Sequence, residues 1–208
     1  MNPSRLHPWP LAATVLLAAF LWFVTFALSW ASFWVKIALS ASLLAGISLV
    51  LQPIRREEFR IDPAAVFIGL ASAAVLYLVF WTGRAVSMTL FDFAGREIGG
   101  IYQKRGGTPL WTIAVLLFCV TGPSEEIFWR GYLQRNLMER YGRWPGWAIA
   151  TAVYAGVHVW SLNFMLVGAA AVAGAFWGAM YAHLGRLSPV ILSHAVWSTV
   201  IFAVFPMP

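Results

Sequence analysis

Charge is what this chain has least of. Lys, Arg, Asp and Glu together make up 11% of its 208 residues, where soluble domains carry about a quarter. That deviation points to a membrane protein. Cysteine is nearly absent too: Cys119 stands alone, so no internal disulfide can form and the residue reads as a small apolar packing group. The chain also lacks internal repeats, low-complexity tracts and any H-E-x-x-H stretch. Its eight acidic residues are outnumbered by fourteen basic ones. The basic excess is distributed by membrane topology, however, so it does not indicate nucleic acid as a partner.

What fills the chain instead is apolar length. Residues 10–30, 33–51, 63–81 and 163–184 are each long enough to cross a bilayer core, which takes about 20 mostly apolar residues. Residues from 109 onward, 146–160 and 189–205 make three further spans, roughly seven in all. The expected fold class is all-α, a polytopic membrane protein with a polar site inside the membrane and the lipid bilayer as its surroundings. One integral-membrane domain covers 1–208, with spans and a loop in 1–108 and the motif-bearing core in 109–208. Arg5 and His7 precede the first span as they would in a signal peptide. The apolar run is too long for one and no small-x-small site closes it, so a retained helix is expected. Trp9, Trp30, Trp34, Trp81, Trp111, Trp144, Trp147 and Trp160 lie near span ends, as an interfacial belt requires.

With the N-terminus in the cytoplasm, Arg5, Arg55, Arg56, Arg60, Arg135, Arg140, Arg143 and Arg186 fall inside. Lys36, Arg84, Arg96, Lys104 and Arg105 then fall outside, an arrangement that obeys the positive-inside tendency where the reverse would violate it. Lys36, within the second span, is expected to snorkel to its outer end. The loop "QPIRREEFRID", 52–62, holds adjacent Glu57 and Glu58 among arginines and reads as a solvated surface. Residues 83–108 are Gly-rich; they form either a plain connector or a loop with a short interfacial helix near "SMTLFDF" that covers an opening. In the sixth span Ala170, Gly174, Gly178 and Ala182 form a small-residue stripe for close helix packing.

Against this background "GPSEEIFWRGYL", 122–133, is costly. An Asp or Lys at the centre of a span is disfavoured by about 2.5–3.5 kcal/mol, so Glu125, Glu126 and Arg130 together are a functional candidate. Side chains at i and i+4 share a helical face. Glu126 can therefore pair with Arg130, while Glu125 points about 100° away and is free to act on water. Gly122 and Pro123 loosen the backbone ahead of them. The same spacing recurs in "YAGVH" (Tyr154, His158) and "HAVWS" (His194, Ser198). At about 1.5 Å per residue, Glu125, His158 and His194 all fall in the inner half to the middle of the core, where they can meet in one polar cavity. His183 sits at a helix end near Arg186 and reads as interfacial. Three function classes remain open: a membrane peptidase, a metal-dependent hydrolase with Glu125, His158 and His194 as ligands, and a non-enzymatic adaptor, immunity factor or transporter.

The combination "EEIFWR", "YAGVH" and "HAVWS", in this order within membrane spans, resembles the CPBP family, the CAAX proteases and bacteriocin-processing enzymes, also called the Abi family of glutamic intramembrane proteases. The resemblance implies peptide hydrolysis without a covalent intermediate, cofactor or metal, on a peptide or protein substrate at the membrane. By the same resemblance Glu125 activates water with help from His158, Glu126 and Arg130 tune the site, and His194 stabilises the oxyanion. Two positions depart from the family pattern: the aromatic residue is often Phe where this chain has Tyr154, and Asn usually stands where it has Ser198. Ser donates over a shorter reach than Asn, and Asn163 is a candidate substitute donor. A bacterial enzyme in the cytoplasmic membrane, trimming peptides or C-terminal protein tails, is the expected setting.

Overall fold

The computed structural model describes residues 8–207; Arg5 and His7 lie outside the described residues. Eight helices account for nearly all of it: α1 Pro8–Ala27, α2 Phe33–Leu51, α3 Pro63–Leu90, α4 Ala94–Gln103, α5 Leu110–Tyr141, α6 Arg143–Val157, α7 Phe164–Leu184 and α8 Ser188–Val204. Among the described residues there is no strand. The helices α1, α2, α3, α5 and α7 are long and apolar enough to cross a membrane. α8 is shorter, and α6 has 15 residues before a single 3₁₀ turn, His158–Ser161. The chain is an all-α integral membrane protein. Its outward faces carry large apolar side chains such as Leu16, Val50 and Phe67, which suit lipid as they would not suit water.

Local chemistry sets several helix ends. Asp62 caps α3 by accepting the Ala65 N–H at 2.8 Å, with Pro63 in the first turn, where its missing N–H is no loss. That cap bond, together with an Arg186 ion pair at 2.9 Å, holds the Asp62 carboxyl below its usual range. Asn163 caps α7 by accepting the Leu166 N–H. Gly185, at φ 61°, closes the same helix in a left-handed conformation that side chains with a Cβ rarely adopt.

Four expectations need correction. First, α3 does not stop near Trp81 but continues to Leu90, because no proline interrupts it and a single Gly83 is tolerated. "SMTLFDF" is therefore mostly its last turn, and the short helix of this region is α4, one segment later. Second, Glu58 is buried. Its carboxylate lies 3.6 Å from Arg135 and accepts the Tyr181 hydroxyl at 3.1 Å, while its carbonyl accepts the Leu187 N–H. The loop folds back under the ends of α5 and α7, so only Glu57 of the pair is solvated. Third, Trp34 is buried between Phe33 and Phe202, and Trp147 is half-buried, its indole N–H donating to the Ala175 carbonyl. The other six belt tryptophans are exposed. Fourth, Lys36 reaches the α1–α2 connection at the end of its span as expected, but its side chain is buried there and donates to the Leu28 carbonyl.

The core has two large apolar clusters. One gathers Trp22, Phe128, Trp129, Tyr132 and Tyr154; the other gathers Leu76, Trp177, Leu187, Val190 and Trp197. Tyr154 belongs to the first and Trp177 to the second, and the Arg130 guanidinium lies over both rings, at 4.9 and 5.7 Å from their centroids. The charged motif is thus buried between the clusters.

Candidate active site

Helix α5 carries the acidic pair on an irregular backbone. Residues 116–121 and 127–134 are wound as wider π-helical turns on either side of an α-helical turn, Gly122–Glu126. Such turns recur at functional sites because they redirect side chains that a regular helix would line up. Pro123, which has no N–H to give to the ladder, sits between them. Gly122 lets α8 approach closely: a Cβ there would lie 3.1 Å from Ala195 Cα. The neighbouring His194 is thereby brought against α5.

The two glutamates then part company. Glu126 is completely buried, and its Oε1 accepts both Arg130 Nη1 at 2.8 Å and His194 Nδ1 at 2.6 Å. Arg130 uses its other nitrogen, Nη2, on the Gly174 carbonyl at 3.2 Å. Glu125 faces the other way, onto a cavity of about 440 Å³ whose wall also includes Tyr154, His158, His194 and Ser198. Its Oε2 accepts the Tyr154 hydroxyl at 3.1 Å. The cavity runs from this polar floor along aromatic and aliphatic walls toward Phe91, Ile98 and Tyr102 on the α3–α4 end of the molecule. α4 is pinned there by Glu97, which accepts the Met165 N–H at 2.9 Å through its carboxylate and the Asn163 amide at 2.8 Å through its carbonyl.

Each histidine is held in one tautomer by its partners, since carbonyl and carboxylate oxygens can only accept. His158 donates from Nδ1 to the Tyr154 carbonyl at 2.8 Å, and its Nε2 accepts the Trp22 indole N–H at 3.3 Å. Both of its nitrogens are engaged, and neither bond runs to Glu125. His194 donates from Nδ1 to Glu126 and stacks flat on Trp177, centroids 3.8 Å apart. The opposite nitrogen, Nε2, is the one left for the cavity. Ser198 donates to the His194 carbonyl of its own helix at 2.7 Å. Asn163 does not join the site: its amide donates to Glu97 and its oxygen caps α7.

Glu125, Tyr154, His158, His194 and Ser198 are thus brought onto one cavity wall, with Glu126 and Arg130 directly behind it. Trp22, Trp177 and the Gly174 carbonyl complete the site, and sequence reasoning did not find them. The small-residue stripe signalled that another element would come close at Gly174, but not that Arg130 would use the carbonyl exposed there. Among the described residues no three His, Cys, Asp or Glu side chains converge as metal ligands.

Residues 107–200, which contain all three motifs, match the family model described as type II CAAX prenyl endopeptidase Rce1-like. No curated protein and no solved structure matches the chain.

Proposed function

We propose, from the match of residues 107–200 to the family model of Rce1-like type II CAAX prenyl endopeptidases, that this chain is a glutamic intramembrane endopeptidase. A water molecule on the cavity floor gives a proton to Glu125 as its oxygen attacks the scissile carbonyl carbon. The tetrahedral intermediate collapses, the C–N bond breaks, and Glu125 returns the proton to the leaving nitrogen. The products are a carboxylic acid and an amine. A positioned general base of this kind supplies about 10²- to 10⁴-fold.

The observation that carries this reading is the division of labour within the acidic pair. Glu126 is paired with Arg130 and hydrogen-bonded by His194 behind the wall, whereas Glu125 has only a neutral hydroxyl on it and borders the cavity. The Nε2 edge of His194 is a second contact for the water, and His158 holds the adjoining wall. The apolar length of the cavity suits a greasy segment next to the cleaved bond. The substrate is a peptide or C-terminal protein tail in a bacterial cytoplasmic membrane, and the N-terminus lies in the cytoplasm.

Glu125→Gln tests the scheme, because it keeps size and the bond from Tyr154 but removes the base. Purified protein in liposomes is given a quenched fluorescent peptide ending in a prenylated Cys-aliphatic-aliphatic-X sequence, and products are read by mass spectrometry. Cleavage is expected to fall at least about 10²-fold with an unchanged unfolding midpoint. Full activity in the variant would remove Glu125 from the mechanism.

A further inference from the structure

We propose that Tyr154 is a catalytic residue: its phenolic hydroxyl donates the hydrogen bond that stabilises the oxyanion formed when water adds to the scissile carbonyl. The assignment deepens the endopeptidase reading and rests on it. An oxyanion in a dry cavity needs a donor aimed at it, and the residues on the wall can be taken in turn.

Ser198 has a single proton, and that proton lies on the His194 carbonyl within its own helix, at 2.7 Å. His194 directs its Nδ1 proton at Glu126, so in the neutral ring the cavity-side Nε2 is a bare acceptor. In that form it can hold a proton of the attacking water but has none to offer an oxyanion. His158 is closed in the same way, Nδ1 donating to a carbonyl and Nε2 accepting from Trp22. Thr121 lines the same cavity, but its hydroxyl oxygen is enclosed. Of the hydroxyl and imidazole groups nearest Glu125, Tyr154 is the one whose hydroxyl meets the reacting carboxylate itself.

Its ring is held on several sides. It packs edge-on to Trp129 at 5.1 Å, under Arg130 at 4.9 Å, and against Gly174, where a Cβ would come within 2.7 Å of it. The hydroxyl is held less tightly. Its 3.1 Å bond to Glu125 is long for an O–H···O⁻ contact, which is commonly about 2.5–2.7 Å. The reaction then shifts the balance between two acceptors. As Glu125 takes the water's proton it becomes neutral and a weaker acceptor, while negative charge appears on the former carbonyl oxygen. The Tyr154 O–H turns to the stronger acceptor and keeps its own proton throughout. When the intermediate collapses the C=O re-forms, Glu125 protonates the nitrogen, and the original bond is restored. A contact that strengthens only as charge develops lowers the barrier without tightening substrate binding.

Tyr154→Phe tests this, since it deletes one oxygen and keeps the ring with its packing. The assay uses the same prenylated peptide in liposomes, together with two unreactive ligands of equal length. One carries a phosphinate in place of the scissile amide; the other carries a reduced amide with no carbonyl oxygen. In Tyr154→Phe, kcat is expected to fall about 10²- to 10³-fold, with KM within about threefold. Affinity for the phosphinate should fall by a similar factor, and affinity for the reduced amide should be unaltered. A kcat within tenfold of wild type overturns the assignment, as does a large loss of kcat with phosphinate binding intact. If the wild-type protein cleaves nothing, the endopeptidase reading fails and takes this assignment with it.

Discussion

At the scale of single residues, the balance at Glu126 decides whether the centre of the molecule is stable. Its carboxylate has no exposure and two cationic or N–H partners on one oxygen. Removing one partner of a buried pair leaves an uncompensated charge, which costs about 3–5 kcal/mol, whereas removing both is far milder. Arg130→Leu is therefore expected to lower the unfolding midpoint in detergent strongly, and Glu126→Leu/Arg130→Leu to restore much of it. Equal destabilisation in the two would show that Arg130 acts through its Gly174 bond and its ring contacts instead of through Glu126. The i, i+4 spacing made the Glu126–Arg130 pair readable from the sequence. The bond from Tyr154 to Glu125 was not readable, because it joins two helices whose relative depth and rotation no local spacing specifies. Glu58 shows the same limit, since its burial comes from Tyr181 and Arg135, which lie far along the chain.

At the scale of elements, α7 works as a template for α5 and α6. Its small-residue stripe gives up side-chain volume so that carbonyls become reachable: Gly174 O takes Arg130 and Gly178 O takes Gln134 at 2.8 Å. The two donors and the two acceptors both stand four residues apart, so one helical face is matched to another. The Tyr154 ring fills the space where a Gly174 side chain would be. Gly174→Ala should thus displace Tyr154, and through it Glu125. Cleavage should fall at least about tenfold with a destabilisation of roughly 1–3 kcal/mol, the range for an overpacked core, and Gly174→Val should be worse on both counts. Gly46→Ala, at an exposed helical position off the cavity wall where a Cβ meets nothing within 4 Å, serves as the control. The stripe itself was plain in the sequence. Its second use, as a row of acceptors, depends on which side chains face it.

At the scale of the whole molecule, the polar floor of the cavity connects to the α3–α4 end, and the lining includes no residue of the 52–62 loop. With the proposed cytoplasmic N-terminus, that end would face away from the cytoplasm and the site would be reached from the far side of the membrane. A membrane-impermeant maleimide tests this in intact cells whose outer envelope has been made permeable. In a Cys119→Ser background, a cysteine at Arg105 should react, whereas one at Glu57 should react only after lysis. The opposite pattern would invert the orientation and with it the side from which substrate enters.

The sequence by itself determined that the chain lives in lipid, which segments supply its spans, and which few ionisable groups are too costly there to be incidental. Hydropathy and i, i+4 spacing are local, and a bilayer makes local composition decisive. Only the tertiary structure decided which tautomer each histidine adopts, and that a tyrosine hydroxyl and a glycine carbonyl complete the site. Those outcomes depend on hydrogen bonds between helices distant in sequence, whose geometry is settled by packing and cannot be read along the chain.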